Sequence, residues 1–193
     1  MRTCRIERKT SETYVRAEMN LDGTGEYNID TGMTFFDHML EQLAKHSGID
    51  LTVELEDGLF YDEHHAAEDT GIVIGEAFVR CLGDKAGIER YGSALLPMDD
   101  ALVQTAVDFC GRSYLAFSVT FPSERTSDFE LENIREFFRA VSDSAKMNIH
   151  ITSLAGENSH HIAEAVFKSF AKAVKSAVRL SGSGGIPSTK GSL

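Results

Sequence analysis

The sequence predicts an α+β fold in which a β-β-β-α-β-α unit occurs twice in tandem, over about residues 1–91 and 92–193 of a single domain. Three observations predict it. Segments of period two and segments of helical period follow one another in the same order in both halves. Asp50-Leu51-Thr52-Val53 has a counterpart in Asn148-Ile149-His150-Ile151, and Gly58 in Gly156, each 98 residues on. The cluster His64-His65-Ala66-Ala67-Glu68 returns as His160-His161-Ile162-Ala163-Glu164, 96 residues on, so the halves differ mainly by a short insertion before the first cluster.

Cys4 to Thr10 and Thr13 to Leu21 read as strands, the second setting Tyr14, Arg16 and Glu18 against Val15, Ala17 and Met19. Asp22-Gly23-Thr24-Gly25 carries hairpin chemistry, because glycine takes positive φ without a Cβ clash, and leads to a strand from Glu26 to Asp30. From Thr34 the period changes: Phe36, Met39, Leu40 and Leu43 recur at helical spacing, and Ser47-Gly48 stops the helix. Asp50 to Glu56 alternates again and buries Leu51, Val53 and Leu55. After a loop, His64 opens a helix to about Leu82, in which Gly71 and Gly75 form a small face for close packing against another helix.

In the second half, strands fit Ala94 to Met98, Ala101 to Phe109 and Ser113 to Phe121. A helix fits Glu130 to Lys146, and a strand Met147 to Leu154. The last helix, Ser159 to about Leu180, buries Ala163, Val166, Phe167, Phe170, Val174 and Val178 on one stripe. A Gly- and Ser-rich tail follows from Ser181.

A chain of 193 residues buries roughly 70% of its unfolded surface, so no disulfide is needed to hold a core. The net charge of -11 argues against nucleic acid, which requires clustered Lys and Arg. Cys4, Cys81 and Cys110 are odd in number, far apart and outside any Cys-x-x-Cys arrangement, as expected of reduced thiols in a cytoplasmic protein. The N-terminus shows no signal-like apolar run, and no stretch approaches the ~18 apolar residues that span a membrane.

The paired clusters point to metal chemistry. On a helix His64 and Glu68, or His160 and Glu164, are i, i+4 neighbours about 6 Å apart and can share one ion. The adjacent histidine points roughly 100° away and serves a different ion. Four imidazoles and two carboxylates exceed what one ion takes from protein, which leads to a two-metal site. His38, Gln42 and His46 form one polar stripe on the first long helix, and His150 points off the apolar side of its strand; His38 and His150 are natural further ligands. Such a set suits Mn, Fe, Co, Ni or Zn, and it serves either to activate water or to stabilise developing negative charge.

Four motifs then carry a resemblance. They are Thr31-Gly32-Met33-Thr34-Phe35-Phe36-Asp37-His38-Met39-Leu40, His64 to Asp69, Asn158 to Glu164, and Pro187-Ser188-Thr189-Lys190-Gly191. In this order and with these gaps the whole chain resembles imidazoleglycerol-phosphate dehydratase, a metal-dependent hydro-lyase of histidine biosynthesis. The resemblance implies a duplicated fold like the second domain of ribosomal protein S5. It also implies a 24-subunit homo-oligomer with active sites between subunits and two Mn²⁺ per subunit. One ion would be held by His64, Glu68, His150 and His161, and the other by His38, His65, His160 and Glu164. It further implies Glu12 as acid/base with Glu164 as a possible second, and Gln42 and His46 on the substrate side. Arg90, Arg112, Ser188 and Lys190 would hold the phosphate, so that the tail orders over substrate. The side-chain proton of this substrate is not next to a carbonyl; a ring held as imidazolate between two cations expels the neighbouring hydroxyl instead, through a diazafulvene-like intermediate. Asp99-Asp100 stands where Asp-Glu is more usual, and Ser11 where lysine is common.

Two other functions compete. A di-metal hydrolase needs a water between the ions and leaves Arg90, Arg112 and Lys190 without a joint role. A metal-binding shell protein without activity keeps its metal and its assembly when Glu12 or Lys190 is replaced.

Overall fold

The computed structural model describes residues 1–57, 62–182 and 184–193, so Gly58 lies outside the described residues. The order is β1 (Thr3–Lys9), β2 (Thr13–Asn20), β3 (Tyr27–Asp30), α1 (Thr34–Ser47), β4 (Asp50–Asp57) and α2 (Glu63–Leu82). It continues with β5 (Tyr91–Met98), β6 (Ala101–Asp108), β7 (Tyr114–Ser118), β8 (Arg125–Thr126), β9 (Phe129–Glu130), α3 (Glu132–Ala145), β10 (Asn148–Ala155) and α4 (Ser159–Ala177). The two four-stranded sheets have the same connectivity, β1-β2-β4-β3 and β5-β6-β10-β7. In each, the third strand lies parallel to the fourth across a helix, α1 between β3 and β4 and α3 between β7 and β10.

The alternation read from the sequence is the alternation seen. Val15, Ala17, Met19, Leu51 and Val53 of the first sheet, and Val103, Val107, Ile149 and Ile151 of the second, face one core shared with all four helices. The helices meet across the halves, α1 on α4 and α2 on α3. Gly71 and Gly75 form the expected small face: a Cβ on Gly71 would lie 2.6 Å from the Phe137 carbonyl, and one on Gly75 2.6 Å from the Ser144 Cβ.

Three expectations are corrected. Asp22 to Gly25 does not make a hairpin, because β2 and β3 flank β4 instead of pairing. The backbone N–H groups of Thr24, Gly25 and Glu26 all donate to Asp50 Oδ1, at 2.8, 3.1 and 3.0 Å, which folds this turn over the start of β4. The halves also differ in a second place. Thr3 and Tyr91, like Thr13 and Ala101, are 88 residues apart, whereas Thr34 and Glu132 are 98 apart. The ten extra residues hold the β8–β9 hairpin, whose two-residue strands are too short to show a period. Third, β5 begins at Tyr91 and β7 ends at Ser118, shifting both ends from their expected positions.

The hairpin fastens the helix starts. Helix α1 has no cap from Met33 before it; Asp128 in the β8–β9 turn accepts from the Thr34 N–H and hydroxyl, both at 2.7 Å, and from the Phe35 N–H at 3.1 Å. Glu63 at the start of α2 accepts from Arg125 at 2.5 Å and from the Glu130 N–H at 2.9 Å. Asp128→Ala is therefore expected to cost about 1–2 kcal/mol in denaturant unfolding, with Asp128→Asn retaining most of the stability. An unchanged midpoint for the alanine variant would show that the cap carries nothing.

Candidate active site

Asn158 accepts at its side chain from the His160 and His161 N–H groups and starts α4, just as Asp62 accepts from the His64 N–H and starts α2. Both histidine pairs are thereby fixed in a first helical turn. Contact between α1 and α4 then places His38 beside His160, ring centroids 5.9 Å apart, with the Phe35 ring edge-on to His160 at 5.3 Å.

His38, His160 and Glu164 offer ligand atoms that all lie within 4.8 Å of one another. Glu164 Oε2 is 3.4 Å from His160 Nε2 and 3.8 Å from His38 Nε2, the spacing of ligands that share an ion with bonds near 2.1 Å. Glu164 Oε1 instead takes the Lys168 ammonium at 2.6 Å, one helical turn on. Burial by itself raises the Glu164 carboxyl, but Lys168, His38 and His160 outweigh it and hold the group below its ordinary value. Gln42 bridges His38 Nδ1 at 3.4 Å and His46 Nε2 at 3.2 Å, so the expected polar stripe forms. Burial, together with Lys168 and Lys172, lowers His46 and favours its neutral form.

The second histidine of each pair meets an acid from a hairpin turn. His65 Nδ1 is 3.1 Å from Glu12 Oε2, in the β1–β2 turn, and 3.3 Å from Asp62. His161 Nδ1 is 2.5 Å from Asp100 Oδ1, in the β5–β6 turn. The Glu157 N–H, His161 and the Asn158 N–H hold the Asp100 carboxyl well below the usual carboxylate range, and Asp100 raises His161 in turn. Bound at Nδ1, each imidazole turns Nε2 outward, that of His161 toward Asp99 at 3.5 Å; carboxylate–histidine pairs beside metals are arranged in this way.

The remaining expected ligands are not gathered within one chain. His64 borders a cleft with Phe117, Glu132 and Arg135; Glu68 is 3.7 Å from Arg139; His150 lies exposed on the outer face of the second sheet beside Tyr114. Among the described residues, only His38, His160 and Glu164 form a group of three metal-ligating side chains.

Arg90, Arg112, Ser188 and Lys190 do come together, lining a cleft of about 720 Å³. Arg90 donates to Asp108 at 2.7 and 3.1 Å and to the Pro187 carbonyl at 2.9 Å, which ties the tail to β5 and β6. Gly87 N–H donates to the Gly185 carbonyl at 2.8 Å, so the described part of the tail is folded against the chain. Among the described residues neither Arg112 nor Lys190 makes an ion pair, and both charges remain for an anion.

Sequence reasoning missed Lys168 and Asp100 as the groups that hold Glu164 and His161. The first left a signal in its i, i+4 spacing from Glu164. The second was singled out only as part of Asp99-Asp100, where Asp-Glu is more usual, without a role, and its contact depends on how β6 pairs with β10.

The model of the imidazoleglycerol-phosphate dehydratase family matches residues 31–174. The chain is 51% identical over 195 residues to the imidazoleglycerol-phosphate dehydratase of Dinoroseobacter shibae, with all of both chains covered. It is 51% identical over 197 residues to that of Paracoccus denitrificans, again over the whole of both. The crystal structure of the Staphylococcus aureus enzyme superposes with a TM-score of 0.83 at 35% identity, covering 92% of this chain and 99% of that one. The Pyrococcus furiosus enzyme does so with 0.84 at 34%, covering 97% and 100%. With the histidine–glutamate cluster and the cationic cleft in place and the likeness running from end to end, the chain belongs to the imidazoleglycerol-phosphate dehydratase family.

Proposed function

We propose that the chain removes water from imidazole glycerol phosphate to give imidazole acetol phosphate, in histidine biosynthesis, as a single catalytic domain of two tandem repeats, 1–91 and 92–193. The observation that carries this is the presence in one chain of an imidazole–carboxylate cluster, His38, His160 and Glu164, and a cleft with Arg90, Arg112 and Lys190. A substrate with an imidazole at one end and a phosphate monoester at the other needs both. A hydrolase gives the cationic cleft no task, and a passive metal shell gives none to Glu12.

The cluster fits a divalent metal. Its two nitrogens and one carboxylate oxygen are borderline donors, and separations of 3.4 and 3.8 Å suit a common ion. In the proposed site two Mn²⁺ per subunit are held by His38, His65, His160 and Glu164, and by His64, Glu68, His150 and His161. When bound, such ions stabilise the anionic imidazole ring that makes the neighbouring hydroxyl a leaving group. The chain's own groups do the rest. Arg112, Lys190, Ser188 and Arg90 neutralise and orient the phosphate. Gln42 and His46 face the substrate side of the cluster. Glu12, exposed and held at one oxygen by His65, carries the proton taken from the side chain; Glu164, tied to Lys168, acts as a ligand and as a second candidate base.

The proposed site spans copies of the chain. Arg112 accepts from Asn148 at the start of β10, whereas His160 follows the far end of that strand. Eight residues of strand separate the two by about 23 Å. One chain's phosphate cleft therefore serves another chain's cluster. The outer face of the second sheet, with Tyr91, Leu95, Tyr114 and Leu154 between 54% and 60% exposed around His150, gives an apolar surface for such contact. We infer a homo-oligomer, of 24 subunits by analogy with the family, in the cytoplasm; among the described residues no helix is long and apolar enough to cross a membrane.

The test is direct. Manganese-loaded protein incubated with imidazole glycerol phosphate is expected to yield a keto product, read as ultraviolet absorbance of its enolised form after alkali. Absence of product from protein with two bound ions per subunit overturns the assignment.

A further inference from the structure

Cys4 and Cys81 are 77 residues apart in sequence, yet their sulfurs lie 3.2 Å apart between β1 and the end of α2. From this juxtaposition we propose that they form a peroxide-sensitive dithiol that closes reversibly to an intrachain disulfide. A disulfide needs ~2.05 Å, so closure requires the sulfurs to approach by about 1.2 Å. The two positions differ in access and in acidity, which makes Cys4 the thiol that meets the oxidant first. Cys4 is partly exposed, and its sulfur lies against the Ala77 carbonyl of α2 at 3.5 Å as well as against Cys81. Cys81 is buried and donates its S–H to the Cys4 sulfur. That hydrogen bond, helped by Arg80 against the opposing effect of burial, lowers the Cys4 thiol, while the same contact and burial raise Cys81.

The Cys4 thiolate attacks one peroxide oxygen, the O–O bond breaks, hydroxide leaves, and Cys4 becomes a sulfenic acid. The Cys81 sulfur then attacks the Cys4 sulfur; the S–O bond breaks and the oxygen leaves as water with the Cys81 proton. In all, two thiols and one hydrogen peroxide give one disulfide and two waters, and a dithiol reductant reverses it by exchange. The new bond would staple two elements already joined by Arg8–Asp69 at 2.8 Å and by Glu12–His65 at 3.1 Å. Cys110 bonds to Arg112 and Asn148 and contacts neither sulfur, which makes it an internal control.

The assembled, metal-loaded protein is treated with a few equivalents of hydrogen peroxide and digested without reduction. The expected result is a cross-linked peptide pair holding Cys4 and Cys81, two hydrogens lighter than the free thiols. Cys110 should stay alkylatable, and Tm should rise by roughly 5–15 °C, reversed by dithiothreitol. In Cys81→Ser the Cys4 sulfenic acid should persist and be trapped by dimedone, which the unsubstituted protein should not show. Free Cys4 and Cys81 after oxidation, equal reaction of Cys110, or dimedone trapping at Cys4 in the unsubstituted protein each overturn the proposal.

Discussion

A Glu164→Gln enzyme is expected to bind one metal ion fewer per chain and to turn over roughly 10³-fold more slowly or worse, since a catalytic metal contributes several kcal/mol to the transition state. Glu164 brings the one negative charge to a cluster whose other members are imidazoles. Its two oxygens have separate tasks, Oε1 on Lys168 at 2.6 Å and Oε2 toward His160 at 3.4 Å. Glutamine keeps the shape and removes the charge; one of its ends must then present an N–H₂ either to the Lys168 ammonium or to the imidazole nitrogens. The first contact is repulsive and the second puts a group that cannot ligate a cation where the carboxylate oxygen stood, and no rotation of the amide relieves both. His38→Ala and His160→Ala are expected to lose the same ion by elemental analysis. His64→Ala and His161→Ala should lose the other. A Glu164→Gln protein that keeps its full metal content and its rate would refute the role given to this carboxylate, and comparison of the metal-free proteins by far-ultraviolet circular dichroism separates a lost ligand from a lost fold.

The parts of this site that were legible in the sequence are those set by local geometry. The i, i+4 spacing alone pairs His160 with Glu164, and the structure keeps that pair at 3.4 Å. The drift of His38, Gln42 and His46 along one helix face is likewise a property of helical pitch, and the three side chains join as a chain of hydrogen bonds. The alternation of Val15, Ala17 and Met19 names the buried face of β2 without any knowledge of its neighbours. What was not legible depends on which elements become neighbours. Asp22 to Gly25 has the composition of a hairpin, and Asp50 draws it into another use by accepting three of its N–H groups. Cys4 and Cys81 look unrelated until β1 is laid along α2. Asp128 reads as a loop acid, although it caps a helix that begins 94 residues earlier in the chain. In each case the deciding partner is remote in sequence, and no local propensity carries its position.

Co-expression of two inactive variants should restore activity. One chain carries His160→Ala and so lacks the metal cluster; the other carries Lys190→Ala with Arg112→Ala and so lacks the two cleft charges that no carboxylate pairs, Arg90 being held by Asp108. Each alone is expected to be nearly inactive. If every site takes its cluster from one copy and its cleft from a second, random mixing leaves roughly a quarter of the sites with both parts unaltered, and about that fraction of normal turnover should return. Mixed assemblies are isolated by two different affinity tags, so neither variant contributes alone. The expectation rests on the length of β10. Arg112 is tied to Asn148 at 2.9 Å at one end, and Asn158, which caps α4 under His160, is tied through its N–H to Asp100 at 2.9 Å at the other. A strand cannot fold back to bring its ends together, and a small phosphate ester cannot bridge about 23 Å. No recovery in tagged, mixed assemblies would mean that cluster and cleft serve the same chain; that would require β10 and the β6–β7 turn to rearrange on assembly. Recovery near one quarter ties the two halves of the site to two copies.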